Sequence, residues 1–273
     1  MDLPGFRLHA FRGDYRFAMD RFGDTALAAV PLMDAVAACV FFGVWIIYNI
    51  LLDGRFRHPR SINSLMIAVR EGWMWRMLAR EQRMMDAALI GHSIRTATFF
   101  ASTTLILLAG LIGLLSSAER LHAATANMSL LLTSGALALF EIKVLLLVGI
   151  FVYAFFKFTW AIRQFNYFSA IVGSAPEPSA PLDPHLARRM ADMLSHAFWQ
   201  FNAGVRAYYF ALAALGWFIH PAAMMLGAAL VTVVLRYRQL YSRTAHDIAR
   251  HVEFLQAGHD RQPLDANRNA PRT

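Results

Sequence analysis

Polar residues divide this chain into four long apolar stretches, at 31–52, 97–117, 137–162 and 207–235, and three segments in which apolar residues recur at helical spacing. Each apolar stretch reaches the roughly 20 residues that an α-helix needs to cross about 30 Å of hydrocarbon. The pattern predicts an all-α integral membrane bundle of four transmembrane helices. The periodic segments 61–90, 184–200 and 236–257 predict additional amphipathic helices at the membrane interface. In the first of these, Ile62, Leu65, Met66, Val69, Trp73 and Met77 share a face, while Arg70, Arg76, Arg80 and Arg83 take the others with Glu71 and Glu81. Such a helix suits either the headgroup layer or a position packed beneath the spans.

Local signals set the boundaries. Asp53-Gly54 stops the first span, Ser61 is a helix cap, and Asp183-Pro184 is a helix start. Between 173 and 181 three prolines forbid a continuous helix and mark a linker. Residues 1–30 alternate Arg with aromatic residues and read as an extension, 31–257 form one transmembrane domain, and 258–273 read as a disordered tail after Gly258.

Composition agrees with the pattern. The chain is 57% hydrophobic, and its mean hydropathy is +0.40. It carries +8, and all but two of its 26 cationic residues (Lys143 and Lys157) are Arg. Because these Arg residues flank apolar spans, anionic lipid headgroups rather than nucleic acid are the expected partners, beside the bilayer itself and, for such a bundle, a second copy of the chain. The single cysteine, Cys39, lies inside the first span, so the chain can form no internal disulfide or cysteine-based zinc site. Val36-Ala37-Ala38-Cys39 has the form of a lipoprotein cleavage box, but apolarity continues well beyond it, as in an uncleaved anchor.

Four spans place both termini on one face with the connection 116–136, where Arg120 is the one cation, and both Arg-rich connections on the other. The positive-inside rule then favours those connections in the cytoplasm. The localisation expected is a multi-pass protein of the cell membrane, of the bacterial inner membrane type.

Several separated motifs, Arg70-Glu-Gly-Trp73, Ser93-Ile-Arg95-Thr-Ala-Thr-Phe-Phe100-Ala-Ser-Thr103, Ile162-Arg163-Gln-Phe-Asn166 and Gly204-Val-Arg206-Ala-Tyr-Tyr209-Phe, resemble the family catalogued as domain of unknown function 599. The resemblance covers roughly 34–240. It implies a small multi-span membrane protein and no catalytic residue. His220 before Pro221 departs from the Gly-Pro pair expected there.

Signatures of enzymes are missing: no His-Glu-x-x-His, Gly-x-Ser-x-Gly, Gly-x-Gly-x-x-Gly or phosphate-binding loop occurs. The expectation is a non-enzyme without cofactor or metal. Charges within spans are the better lead, because an ionisable group in hydrocarbon needs protein, water or a partner. Glu141 and Lys143 project about 200° apart on a helix, so each should find a partner elsewhere. His220-Pro221 should kink the fourth span near its middle, where loose backbone can line a cavity. Arg95, Arg163 and Arg206 flank spans on the face of Arg70. A substrate or ion path through Glu141, His220, Arg95, Arg163 and Arg206 is one reading. Interface carboxylates, packing kinks and ordinary positive-inside arginines are the other. For Arg70 and Trp73 the expectation is lipid or partner contact. Function therefore lies between conduction or binding of a small, anionic solute and a non-transporting scaffold that engages lipids or a protein.

Overall fold

The computed structural model describes residues 31–50, 61–117, 137–179, 183 and 185–268. Among these residues there is no strand. The helices are α1 (Leu32–Tyr48), α2 (Ile62–Leu78), α3 (Met84–Ser116), α4 (Leu137–Gly173), α5 (Leu186–Leu215), α6 (Pro221–Leu240) and α7 (Arg243–Arg268), with a 3-10 turn at Gly216–Phe218. Three helical segments are long and apolar enough to cross a membrane: Met84–Ser116, Ala138–Gly173 and Pro221–Leu255. α1 is apolar but has 17 residues, about 25 Å of helix. The extension 1–30, the stop signal Asp53-Gly54 and the connection 118–136 lie outside the described residues.

The fourth span expected at 207–235 is not one helix. α5 ends at Leu215, the chain reverses through the 3-10 turn, and α6 returns antiparallel. A Cβ added at Gly227 would stand 3.2 Å from the Ala213 Cα, and one at Gly216 would stand 3.0 Å from the Ala223 carbonyl carbon. Both pairings fold the chain about His220. The physical reason is local. His220 is extended (φ −160°, ψ 143°), its Nδ1 accepts from the Ala222 N–H at 3.1 Å, and Pro221 occupies the first helical turn. A capping side chain followed by proline starts a helix rather than kinking one. Apolarity runs on through the turn, so hydropathy merges two antiparallel helices into one apparent span.

Asp34, Lys143 and the hairpin turn share one end of the bundle. α2 and α7 gather at the other end, the base, beside the start of α5.

Two apolar cores are stacked along the bundle. Small residues dominate the one nearer the hairpin, with Ala37, Ala101, Ala154, Ala207, Ala211, Ala214 and Ala228 all buried around Phe41, Phe158 and Phe210. Lipid tails are as apolar as these side chains, so association here depends on close approach and van der Waals contact. Aromatic rings complete it: Trp45 stacks on Phe210 at 5.3 Å, and Phe100 stacks on Phe158 at 5.4 Å. The Thr104 hydroxyl meets the Tyr208 hydroxyl at 2.9 Å between α3 and α5. Gly204 lets α5 press on α4, since a Cβ there would lie 2.6 Å from the Phe158 ring. Phe158 is fully buried and flanked by Phe100, Phe201 and Tyr208, so it cannot yield. Gly204→Ala should cost about 1–3 kcal/mol by overpacking, read as a lower melting temperature in detergent. Gly149→Ala, where a Cβ meets open space, should show no such loss.

The second core lies in the base and joins Met74, Met77 and Leu78 of α2 to Ile90 of α3, Phe168 of α4 and Leu194 of α5. Here the expected amphipathic helices are redrawn. The helix expected over 61–90 ends at Leu78, and α3 begins at Met84 rather than 97. Asp86, wholly buried, holds this break: it accepts from the Trp73 indole at 2.6 Å and from Arg80 at 3.0 and 3.2 Å. α2 is thus packed against α3, α4 and α5 through its apolar face. Its cap is Ser61, whose hydroxyl accepts from the Ser64 N–H at 3.3 Å. The helix expected at 184–200 is the lower half of α5, and α4 continues past 162 to Gly173. The segment 236–257 divides at Tyr241-Ser242, and α7 runs through Gly258 to Arg268, so Gly258 is not a helix end.

Candidate functional site

Along the base, α2 and α5 run antiparallel, with Asn63 opposite Asn202 (3.5 Å) and Arg70 opposite Ser195 (3.1 Å). They enclose a cleft of about 300 Å³. Its α5 wall is a polar stripe, Asp192, Ser195, His196, Trp199 and Asn202, produced by the three- and four-residue helical repeat. Its α2 wall is Asn63, Ile67 and Arg70, again one helical face.

Arg70 is the unusual member. Its residue exposure is 9%. Nη1 donates to the Ser195 hydroxyl, which itself donates to the Ala191 carbonyl at 2.6 Å, and the guanidinium lies 4.5 Å above the Phe198 ring. Burial pushes its pKa down to about 10, because a charge loses hydration when taken from water. Asp192 shares the cleft, yet no ion pair joins it to Arg70 among the described residues.

Other interior charges have conventional partners. Asp86 has Arg80, and Lys143 lies 3.9 Å from Asp34. Arg83 donates to the carbonyls of Ala175 and Pro176, just beyond the end of α4. At the start of α5, exposed Asp183 bonds Arg189 and accepts from the His185 N–H, and both hold its carboxyl below the ordinary value.

The residues expected to line a path are dispersed. Glu141 is half-buried in the first turns of α4, and its neighbour Lys143 is buried against Asp34, whose Oδ1 also accepts from the Trp217 indole at 2.7 Å. Lys143 therefore does not reach out to the interface. His220 is exposed at the hairpin turn instead of deep in a span. Arg206 is buried on α5, within electrostatic reach of Lys157, whose ammonium donates to Gln200 at 3.0 Å. Arg95 and Arg163 are exposed, the latter 5.8 Å from the Trp160 ring. Arg70 and Trp73 sit inside the base, one lining the cleft and the other bonded to Asp86. Sequence reasoning missed Asp192, Ser195, Asn63 and Asn202. The polar stripe on α5 was the available signal, at helical spacing in a segment read only for its cap.

A family model described as "Protein of unknown function, DUF599" matches residues 36–244. The chain belongs to that family. No curated protein and no solved structure matches the chain.

Proposed function

We propose that this member of the DUF599 family is a multi-pass membrane protein that binds a small anionic solute in the α2–α5 cleft, with Arg70 as the anion-binding group. The carrying observation is a buried guanidinium that meets a hydroxyl and an aromatic ring, and no carboxylate among the described residues. Guanidinium is suited to phosphate or carboxylate, which it can engage through two parallel N–H groups. Arg80 and Arg83, between α2 and α3, and Arg250 of α7 lie at the base, and by the positive-inside rule these cations support a cytoplasmic base in a bacterial inner membrane. The ring-filled core around Phe41, Phe158 and Phe210 supports binding over conduction.

The test uses the full chain in detergent, titrated with inorganic phosphate while following tryptophan emission, since Trp199 lines the cleft. A saturable change is expected, absent with chloride at equal ionic strength, and Arg70→Gln should weaken it by about 10- to 100-fold, the loss of a charge-assisted hydrogen bond. An unsaturable response, or one that Arg70→Gln leaves intact, would contradict the proposal. The scaffold reading draws on α7, which docks on α2 through Val252 and Leu255 while exposing Phe254 and Arg250. A stoichiometric protein crosslinked through α7, with no phosphate response, would favour it.

A further inference from the structure

The cleft holds charges of both signs in a fixed order along α5, and that order has a direction relative to the membrane. Residues Ala203 to Leu215 of α5 build the core nearest the hairpin, while its Leu186 end stands in the base. Asn202 therefore marks the membrane-side end of the cleft and Asp192 the far end. Ser195, which orients the Arg70 guanidinium, lies between them. On a helix, Asn202 to Ser195 spans about 10 Å and Ser195 to Asp192 about 4.5 Å. Depth is set by tryptophans. Gly204 against Phe158 fixes the register of α5 on α4, which brings Trp199 and Trp160 within a turn of one level. Both are exposed, at 37% and 47%, as tryptophans of an interfacial belt are.

We infer that the cleft takes the headgroup of a phosphodiester lipid bearing a primary ammonium, such as phosphatidylethanolamine. The inference rests on the anion-binding reading above and deepens it. The phosphate sits on Arg70, the ammonium donates to the Asp192 carboxylate one helical turn further from the membrane, and the ester end lies towards Asn63 and Asn202. Lipid order (tail, ester, phosphate, ammonium) then follows the order of the side chains. A ligand with negative charge alone would meet Asp192 unfavourably, whereas a headgroup of both charges satisfies each side chain. A soluble phosphoethanolamine offers the same two charges, so the source must be separated by experiment.

The full chain is reconstituted in nanodiscs of equal phosphatidylethanolamine, phosphatidylglycerol and phosphatidylcholine, released, and examined by native mass spectrometry for retained lipid. Retained phosphatidylethanolamine should exceed either competitor by about tenfold. Asp192→Asn should abolish that preference and admit phosphatidylglycerol equally. Arg70→Gln should lose all retained phospholipid, with helical circular dichroism reporting that both variants are folded. Equal retention of the three lipids, or an unchanged preference in Asp192→Asn, overturns the headgroup assignment while phosphate binding at Arg70 stands. Soluble phosphoethanolamine that binds with the same Asp192 dependence while no lipid is retained overturns the lipid source. A wild-type chain that responds to neither phosphate nor lipid overturns both readings together.

Discussion

Asp34→Ala is expected to destabilise the folded protein by about 3–5 kcal/mol, the usual consequence of leaving a buried charge without its partner. Asp34 and Lys143 are 4% and 5% exposed, and their charged atoms are 3.9 Å apart. Lys143 also lies 5.5 Å from the centre of the Trp217 ring. Removing the carboxylate also strips the Trp217 indole of its acceptor, which loosens the hairpin turn. Both losses act where α1, α4 and the α5–α6 turn meet. Thermal unfolding should fall by roughly 10 °C for a chain of this size. The double substitution Asp34→Ala with Lys143→Met should recover much of the loss, because no buried charge then lacks a partner. An unchanged melting temperature in Asp34→Ala would mean that the pair does not join these elements.

The second large effect has two opposite signs. Arg70→Met keeps the stem that packs on Phe198 and removes the buried charge. Replacing such a charge by an apolar side chain of similar volume is commonly neutral or stabilising, by about 1–4 kcal/mol. Its pKa gives the same sign. A guanidinium lowered by burial to about 10 binds its proton less tightly folded than unfolded. The charge therefore opposes folding below about pH 10, and the opposition fades as pH rises above that value. The anion-binding proposal takes this cost to be offset by a bound anion. Phosphate at 100 times its dissociation constant should stabilise the wild type by about 2.7 kcal/mol through mass action, and should leave Arg70→Met untouched. A variant that is both less stable and still phosphate-stabilised would assign Arg70 a structural role only.

Helical class and membrane character were legible because apolar runs of spanning length leave little choice of structure. Ser61 as a cap was legible too, being local chemistry. The hairpin at Gly216–His220 was masked by its own composition. Trp217, Phe218 and Ile219 are as apolar as the helices they join, so no polar loop announced the turn, and Pro221 supports either a kink or a start. Only the extended backbone of His220 decides between them. The turn reverses α6 relative to α5, and α7, which follows it, lies against α2 through Leu255. The sites suffered differently. Glu141, His220 and the arginines were chosen as polar residues near spans, yet what matters is pairing across helices far apart in sequence. Asp34 meets Lys143 and Trp217, Trp73 meets Asp86, and Arg70 meets Ser195 over a separation of 125 residues. Such partners follow from how separate helices pack on one another, which no periodicity within a single helix reveals.

One measurement addresses the central claim directly: paired melting curves of wild type and Arg70→Met, each with and without saturating inorganic phosphate. A buried arginine held ready for an anion predicts that phosphate raises the wild-type melting temperature by several degrees and does not move that of Arg70→Met, which starts at or above the wild-type value. Equal phosphate shifts in both proteins, or no shift in the wild type, would contradict it.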